Sequence, residues 1–300
     1  MTFSSTEVTG MIFGYATAAR KRRDALAMWV VRAMAGLTLA TMALVLIYVA
    51  VNGLSAVSWD FLSQFPRDGL TKGGIWPAVF GTLGLALGSM CVSIPLGFGA
   101  AIYLAEYAKP GPLVTGIRLG VANLAGVPSV VFGLFGLSLF VALFGFGRSL
   151  LSGCLTLGLL TLPTVVAAAE ESLRQTPASF REAALALGAN RWQAIRQVIL
   201  PAALPGMLTG AILALGRAAG ETAPIIFTAA TAFSPALPDT VFAEVMALPT
   251  HIYNLAANGS RIAETRPQQF GTSLVLLALV LGLSLAATII RAKLRRGRKW

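Results

Sequence analysis

The chain has 300 residues, 56% of them hydrophobic and only 12% charged, with a mean hydropathy of +0.76. A water-soluble globule carries roughly twice that charge fraction and a disordered chain far less apolar residue, so both classes are excluded. Lys and Arg number 23 against 12 Asp and Glu, a net charge of +11. The basic residues form short clusters between long uncharged runs, the pattern of membrane-helix ends and not of a nucleic-acid-binding face.

Crossing roughly 30 Å of hydrocarbon takes about 20 apolar residues. Six runs are long enough, and the sequence predicts an all-α polytopic bundle with spans near 30–52, 77–105, 118–145, 149–171, 204–231 and 268–291. Residues 1–29 are expected to precede the membrane domain 30–292, and 293–300 to form a basic tail. Arg20, Lys21, Arg22 and Arg23 stand before the first span, which is too long for a signal peptide and reads as a retained anchor. An even count puts both termini on one side. With that side inside, inner segments hold seventeen Lys and Arg residues and outer loops only Arg67, Lys72, Arg148, Arg261 and Arg266, so both termini are expected in the cytoplasm.

Within the spans, glycines recur four apart at Gly84 and Gly88, Gly116 and Gly120, Gly206 and Gly210, and Gly216 and Gly220. That spacing allows close helix approach. Pro128 and Pro163 are expected to interrupt the third and fourth spans. Glu170 and Glu171, at the inner end of the fourth, read as a solvated helix end. Cys91 and Cys154 lie in apolar runs and imply no disulfide framework, and His251, the single histidine, leaves no His cluster for a metal. No metal or cofactor is expected.

The inner loop 174–201 is the most informative segment. Ser179-Phe180-Arg181-Glu182 reads as a capping box, the alanine- and leucine-rich run to Leu187 as about two turns of helix, and Gly188 as its stop. So short a helix needs something to dock on. Ala183, Ala184 and Leu187 would offer a small apolar face to a groove on a partner, or else lie against the chain's own membrane domain.

In the fifth span Arg217 and Glu221 interrupt an otherwise uncharged run. Each costs about 2.5–3.5 kcal/mol at a helix centre unless paired or wetted. Four residues apart, they share a helix face and can pair. They are either an ion pair that locks the fold or the lining of a substrate path, where a guanidinium fork would bind an anion's oxygens. No Lys precedes a Ser or Thr, so the nucleotide-binding loop is missing, and no Asp lies mid-span to serve an intramembrane protease. The chain reads as no enzyme.

Glu182-Ala183-Ala184, three residues, Gly188, nine residues, Val198, one residue, then Leu200-Pro201 resembles the EAA loop of bacterial ABC-importer permeases, with Val198 in place of Ile. The resemblance implies a MetI-like permease in which Glu182, Ala183, Ala184, Leu187 and Gly188 couple to an ATP-binding subunit. Asp60-Phe61-Leu62, Phe65-Pro66-Arg67-Asp68-Gly69, Tyr103-Leu104-Ala105-Glu106-Tyr107, Gly126-Val127-Pro128-Ser129 and Gly220-Glu221-Thr222-Ala223-Pro224 are similar to phosphate-importer permeases, the last favouring the PstA type. This second resemblance implies a bacterial inner-membrane location and inorganic phosphate as cargo, with Arg217, Glu221 and Thr222 on its path. It also implies a PstC-type second permease, two ATPase subunits and a periplasmic phosphate-binding protein docking on outer loops 53–77 and 231–267. A permease for another oxyanion or small polar nutrient, and an ion-coupled carrier, are the alternatives.

Overall fold

A computed structural model describes residues 5–70, 72–234, 236–257 and 262–296. Of the expected segments, the first four residues, Arg261 in the outer loop 231–267, and Arg298 and Lys299 of the tail lie outside the described residues. The chain divides after Val51 into two units. The first consists of most of helix α1 (Ser5–Gly53), whose part from Arg20 onward is long and apolar enough to span a membrane.

The second unit opens with a short helix, α2 (Trp59–Ser63), started by the Ser58 hydroxyl, which accepts the Phe61 amide at 3.1 Å. A two-residue antiparallel pair, β1 (Pro66–Arg67) and β2 (Lys72–Gly73), comes next. The remaining elements are helical: α3 (Trp76–Ile102), α4 (Pro112–Ala125), α5 (Ser129–Gly136), α6 (Leu150–Arg174), α7 (Ala178–Ala186), α8 (Arg191–Ala194), α9 (Leu200–Gly220), α10 (Ala223–Thr228), α11 (Leu248–Ala257) and α12 (Ile262–Arg296). Wider π-helical turns extend α3 (Tyr103–Tyr107), extend α5 (Leu137–Leu143) and lead into α9 (Ile195–Ile199). Among the described residues five helical stretches are long and apolar enough to cross a membrane alone, and α4 with α5 makes a sixth span if the bent pair is one crossing. The protein is an all-α polytopic membrane protein.

At the centre stands α6, packed on α3 along one side and on α9 along the other. Lipid offers helices no hydrophobic drive to associate, so close packing over small residues has to hold them. Gly88 faces Cys154, Gly97 faces Val165, Gly158 faces Val92, Gly206 faces Ser172, and Gly210 faces Ala168. Two of the four expected glycine pairs thus sit in helix contacts, whereas nothing lies near Gly116 or Gly120.

Two spans are jointed. The chain turns by 102° between α4 and α5, because Pro128 pushes Val127 out of helical geometry and takes the cap position of α5 itself. Span five ends as α9 at Gly220, turns extended at Glu221, and resumes as α10. The expectation of one continuous helix through 204–231 is corrected accordingly. Also corrected is the expected break at Pro163: α6 runs through it unbroken, with Pro163 buried in the helix packing. The two resumed segments run in close contact, Gly133 against Pro224 and Phe227, and Gly136 against Thr228 and the Thr156 side chain of α6.

Between α10 and α11 the chain is laced to the bundle and does not form a free loop. Ser149 N–H donates to Thr228 O, Leu150 N–H to Ala243 O and Leu151 N–H to Val241 O, each at 2.9 Å. The Arg148 guanidinium donates to Ala230 O. Residues Val245 to His251 are buried.

Candidate coupling and substrate sites

Helix α7 lies at the arginine-rich end of the bundle, between α6 and the turn that leads into α9. Its start differs from the expected capping box: Pro177 occupies the cap position without a side-chain bond and Ser179 falls inside the first turn. Pro177, at φ −54° and ψ 139°, holds the chain extended just before the helix and has no side-chain acceptor to offer the first amides. The capping box forms eleven residues later, where Asn190 Oδ1 accepts the Gln193 amide and Gln193 Oε1 accepts the Asn190 amide, both at 2.8 Å. The stop at Gly188 is as expected. At φ +85° Gly188 donates to Leu185 O at 3.0 Å and Ala189 to Ala184 O at 3.1 Å, the pair of bonds that closes a helix on a left-handed residue.

The expected apolar face separates into two. Ala184 is buried, while Glu182, Ala183 and Leu187 are exposed, Leu187 at 89%. Ala184 therefore seats α7 on its own chain, against the turn Ile195–Ile199, and the opposite ridge is free. The exposed side thus carries a leucine beside a carboxylate, on a helix too short to stand alone.

Behind α7, Arg181 reaches the bundle. Its Nε donates to both Glu106 oxygens at 3.0 and 3.2 Å, and its Nη2 to Oε1 at 2.6 Å. Nη2 and Nη1 further donate to Leu173 O and Thr176 O, each at 3.1 Å, at the end of α6. The hydrogen bond to Glu106 holds the Arg181 guanidinium above its ordinary pKa, outweighing the opposing effect of burial. From the sequence Arg181 is expected in the capping box and among the inner-side basic residues, with no partner for it. The available signal was Glu106 itself, a carboxylate closing a long uncharged run.

Nearby, Glu170 Oε1 accepts Arg118 Nε at 2.8 Å and Arg174 Nη2 at 2.9 Å, with its side chain only 13% exposed. This corrects its reading as a solvated helix end: the carboxylate ties α4 to α6. Glu171 is exposed and accepts from Gln175 at 2.9 Å.

Arg217 and Glu221 meet as expected, although Glu221 has left the helix: Arg217 Nε donates to Glu221 Oε1 at 3.3 Å. Among the described residues neither Nη group of Arg217 has a hydrogen-bond acceptor, so its outer edge remains open. Thr222 stands at the head of α10 with no side-chain cap bond. The open guanidinium edge and a hydroxyl therefore share one joint, at the end of the membrane-spanning stretch Arg191–Gly220. Among the described residues no three His, Cys, Asp or Glu side chains converge as metal ligands.

The family match and the relatives below make this polytopic bundle the permease component of an ABC transporter. The chain belongs to the family of binding-protein-dependent transport system inner membrane components, whose model matches residues 93–299, and it is a multi-pass inner-membrane protein. It is 35% identical over 269 residues to the probable ABC transporter permease protein YqgI of Bacillus subtilis, covering 85% of this chain and 91% of that one. It is 38% identical over 227 residues to the phosphate transport system permease protein PstA 1 of Mycobacterium tuberculosis, covering 76% and 72%. The fold is similar to a chain of a bacterial alginate ABC transporter, with a TM-score of 0.62 and 16% identity over 86% of this chain and 92% of that one.

Proposed function

We propose that the chain is a permease subunit of an ATP-driven phosphate importer, paired with a second permease of PstC type and served by two ATPase subunits and a periplasmic phosphate-binding protein. The observation that carries this reading is the free ridge of α7, Glu182, Ala183 and Leu187, presented by a helix stopped at Gly188 and seated from behind through Ala184. ATP-driven closure of the ATPase pair draws the two permeases' ridges together and opens the path outward. Phosphate as cargo is supported by the likeness to PstA 1 and by the open edge of Arg217, whose fork matches a tetrahedral oxyanion. Thr222 adds a hydroxyl donor. Glu221 holds Nε and keeps the guanidinium from gripping the anion too tightly to release it. Of the outer loops 53–77 and 231–267 that would receive the binding protein, the stretch Val245–His251 is buried and offers it no surface.

The experiment is purification of the tagged chain from its native membrane, followed by uptake of radiolabelled phosphate into proteoliposomes with internal ATP. An ATPase subunit should copurify, Leu187→Asp should abolish its capture, and unlabelled phosphate but not sulfate should compete for uptake. Capture without ridge dependence refutes the docking role. Competition by sulfate refutes phosphate selectivity.

A further inference from the structure

Helix α7 is poorly backed. A cavity of about 320 Å³ lined by Ser172, Thr176, Phe180 and Gly206 lies on one side of it, and another of about 250 Å³ lined by Glu106, Leu185, Arg191 and Ile199 lies on the other. Its packing runs forward, onto α8 and the turn that enters α9. Motion of α7 thus reaches span five directly. Toward span two and span four the link is polar: Arg181 spends four of its five N–H groups on Glu106, Leu173 O and Thr176 O. Glu106 sits in a π-helical turn, where the backbone is looser than in an α-helix, and its side chain is 7% exposed. The carboxylate is therefore held between two span ends and is itself little exposed.

We infer that Arg181 and Glu106 form a transmission strut that delivers displacement of α7 to spans two and four, so that these move with span five when nucleotide binds. The inference rests on α7 being the ATPase-docking element. A fork of parallel hydrogen bonds resists both pulling and twisting, which a single contact cannot, and the flanking cavities leave α7 free to rock once the fork is lost. Both groups are positioning residues and touch no substrate.

The test uses spin labels on Ala178→Cys and Lys109→Cys, with Cys91 and Cys154 replaced by Ser, in the full chain in nanodiscs and again in its complex with the copurifying ATPase. With the strut intact, one narrow interspin distance is expected, unchanged when ATP is added. Glu106→Gln and Arg181→Gln should lose the narrow peak, and in the complex should hydrolyse ATP while moving about tenfold less phosphate per ATP. Arg181→Lys, which keeps the charge without the fork, and Glu106→Asp, which shortens the reach, should fall between and serve if the Gln variants do not fold. A distance distribution and transport ratio like the parent's in Glu106→Asp and Arg181→Lys together with either Gln variant overturns the strut. Absence of phosphate uptake by the unaltered complex would refute the substrate reading while the distances still decide the strut. Absence of a copurifying ATPase would refute docking, with the permease alone still reporting whether the pair holds α7.

Discussion

The Thr82 hydroxyl accepts the backbone amide of Leu248 at 2.8 Å while donating to Ala78 O at 2.8 Å. It is 2% exposed, and it pins the buried segment before α11 to the outer end of α3. Thr82→Val keeps the shape and leaves that amide without a partner, which costs about 1–3 kcal/mol. The expected outcome is a lower thermal midpoint in detergent, with α3 itself intact by circular dichroism.

Beside it, Gly81 lies against the Met246 carbonyl so closely that any side chain would collide with backbone. Gly81→Ala should reduce the folded yield sharply, because backbone cannot give way as a flexible side chain does. Gly120→Ala, with open space at that position, is the control and should express as the parent does. Fluorescence size-exclusion profiles of the two variants make the comparison.

At the joint of span five, the two members of the charged pair should fail differently. Arg217→Ala removes the fork and should lower phosphate uptake about 10- to 100-fold, the range for losing a charge-assisted hydrogen-bond pair. Glu221→Gln leaves the arginine and removes its counter-charge, so the apparent KM should fall together with the maximal rate as release slows. Initial uptake rates over a range of phosphate concentrations separate the two. A rise in KM with unchanged maximal rate in Glu221→Gln would refute its role in release.

His251 is 3% exposed, and its Nδ1 has no hydrogen-bond partner among the described residues. Burial pushes its pKa down from the ordinary 6.5 to about 4. The unfolded segment therefore takes up a proton near pH 6.5 and the folded one only near 4. Stability of the α11 region is fully present above the higher value and declines as pH falls toward the lower one. Thermal midpoints measured from about pH 7.5 to about pH 5 should fall more steeply for the parent than for His251→Leu, which has no proton to gain.

The fold was legible wherever a single physical demand acts on a contiguous run. Lipid requires long apolar stretches, and these located the helices. Pro128 announced a joint because it stands two residues after Gly126 and disfavours helix at Val127. Pro163 offered the same residue without the same result, since the packing of α3 and α9 on either side of α6 holds that helix straight. The joint at Glu221 had a signal, Gly220 before it and Pro224 after, which the i, i+4 spacing of the charges overshadowed. The position of α7 was readable from Glu182 to Gly188, but its buried and exposed sides depend on the turn Ile195–Ile199. The Arg181–Glu106 pair is separated by 75 residues and exists only once α3, α6 and α7 have met.

Helix α6 touches α3, α4, α5, α9 and α10, and it runs from end to end without a joint. A continuous rod between two articulated neighbours behaves as an axle: bending energy collects at Val127 and Glu221, where the helix ladder is already interrupted, and not along the rod. Any cycle of opening and closing thus flexes at those two joints while α6 travels as one unbent body, and a bulky substitution on the buried flank of α6 jams both articulated spans at once.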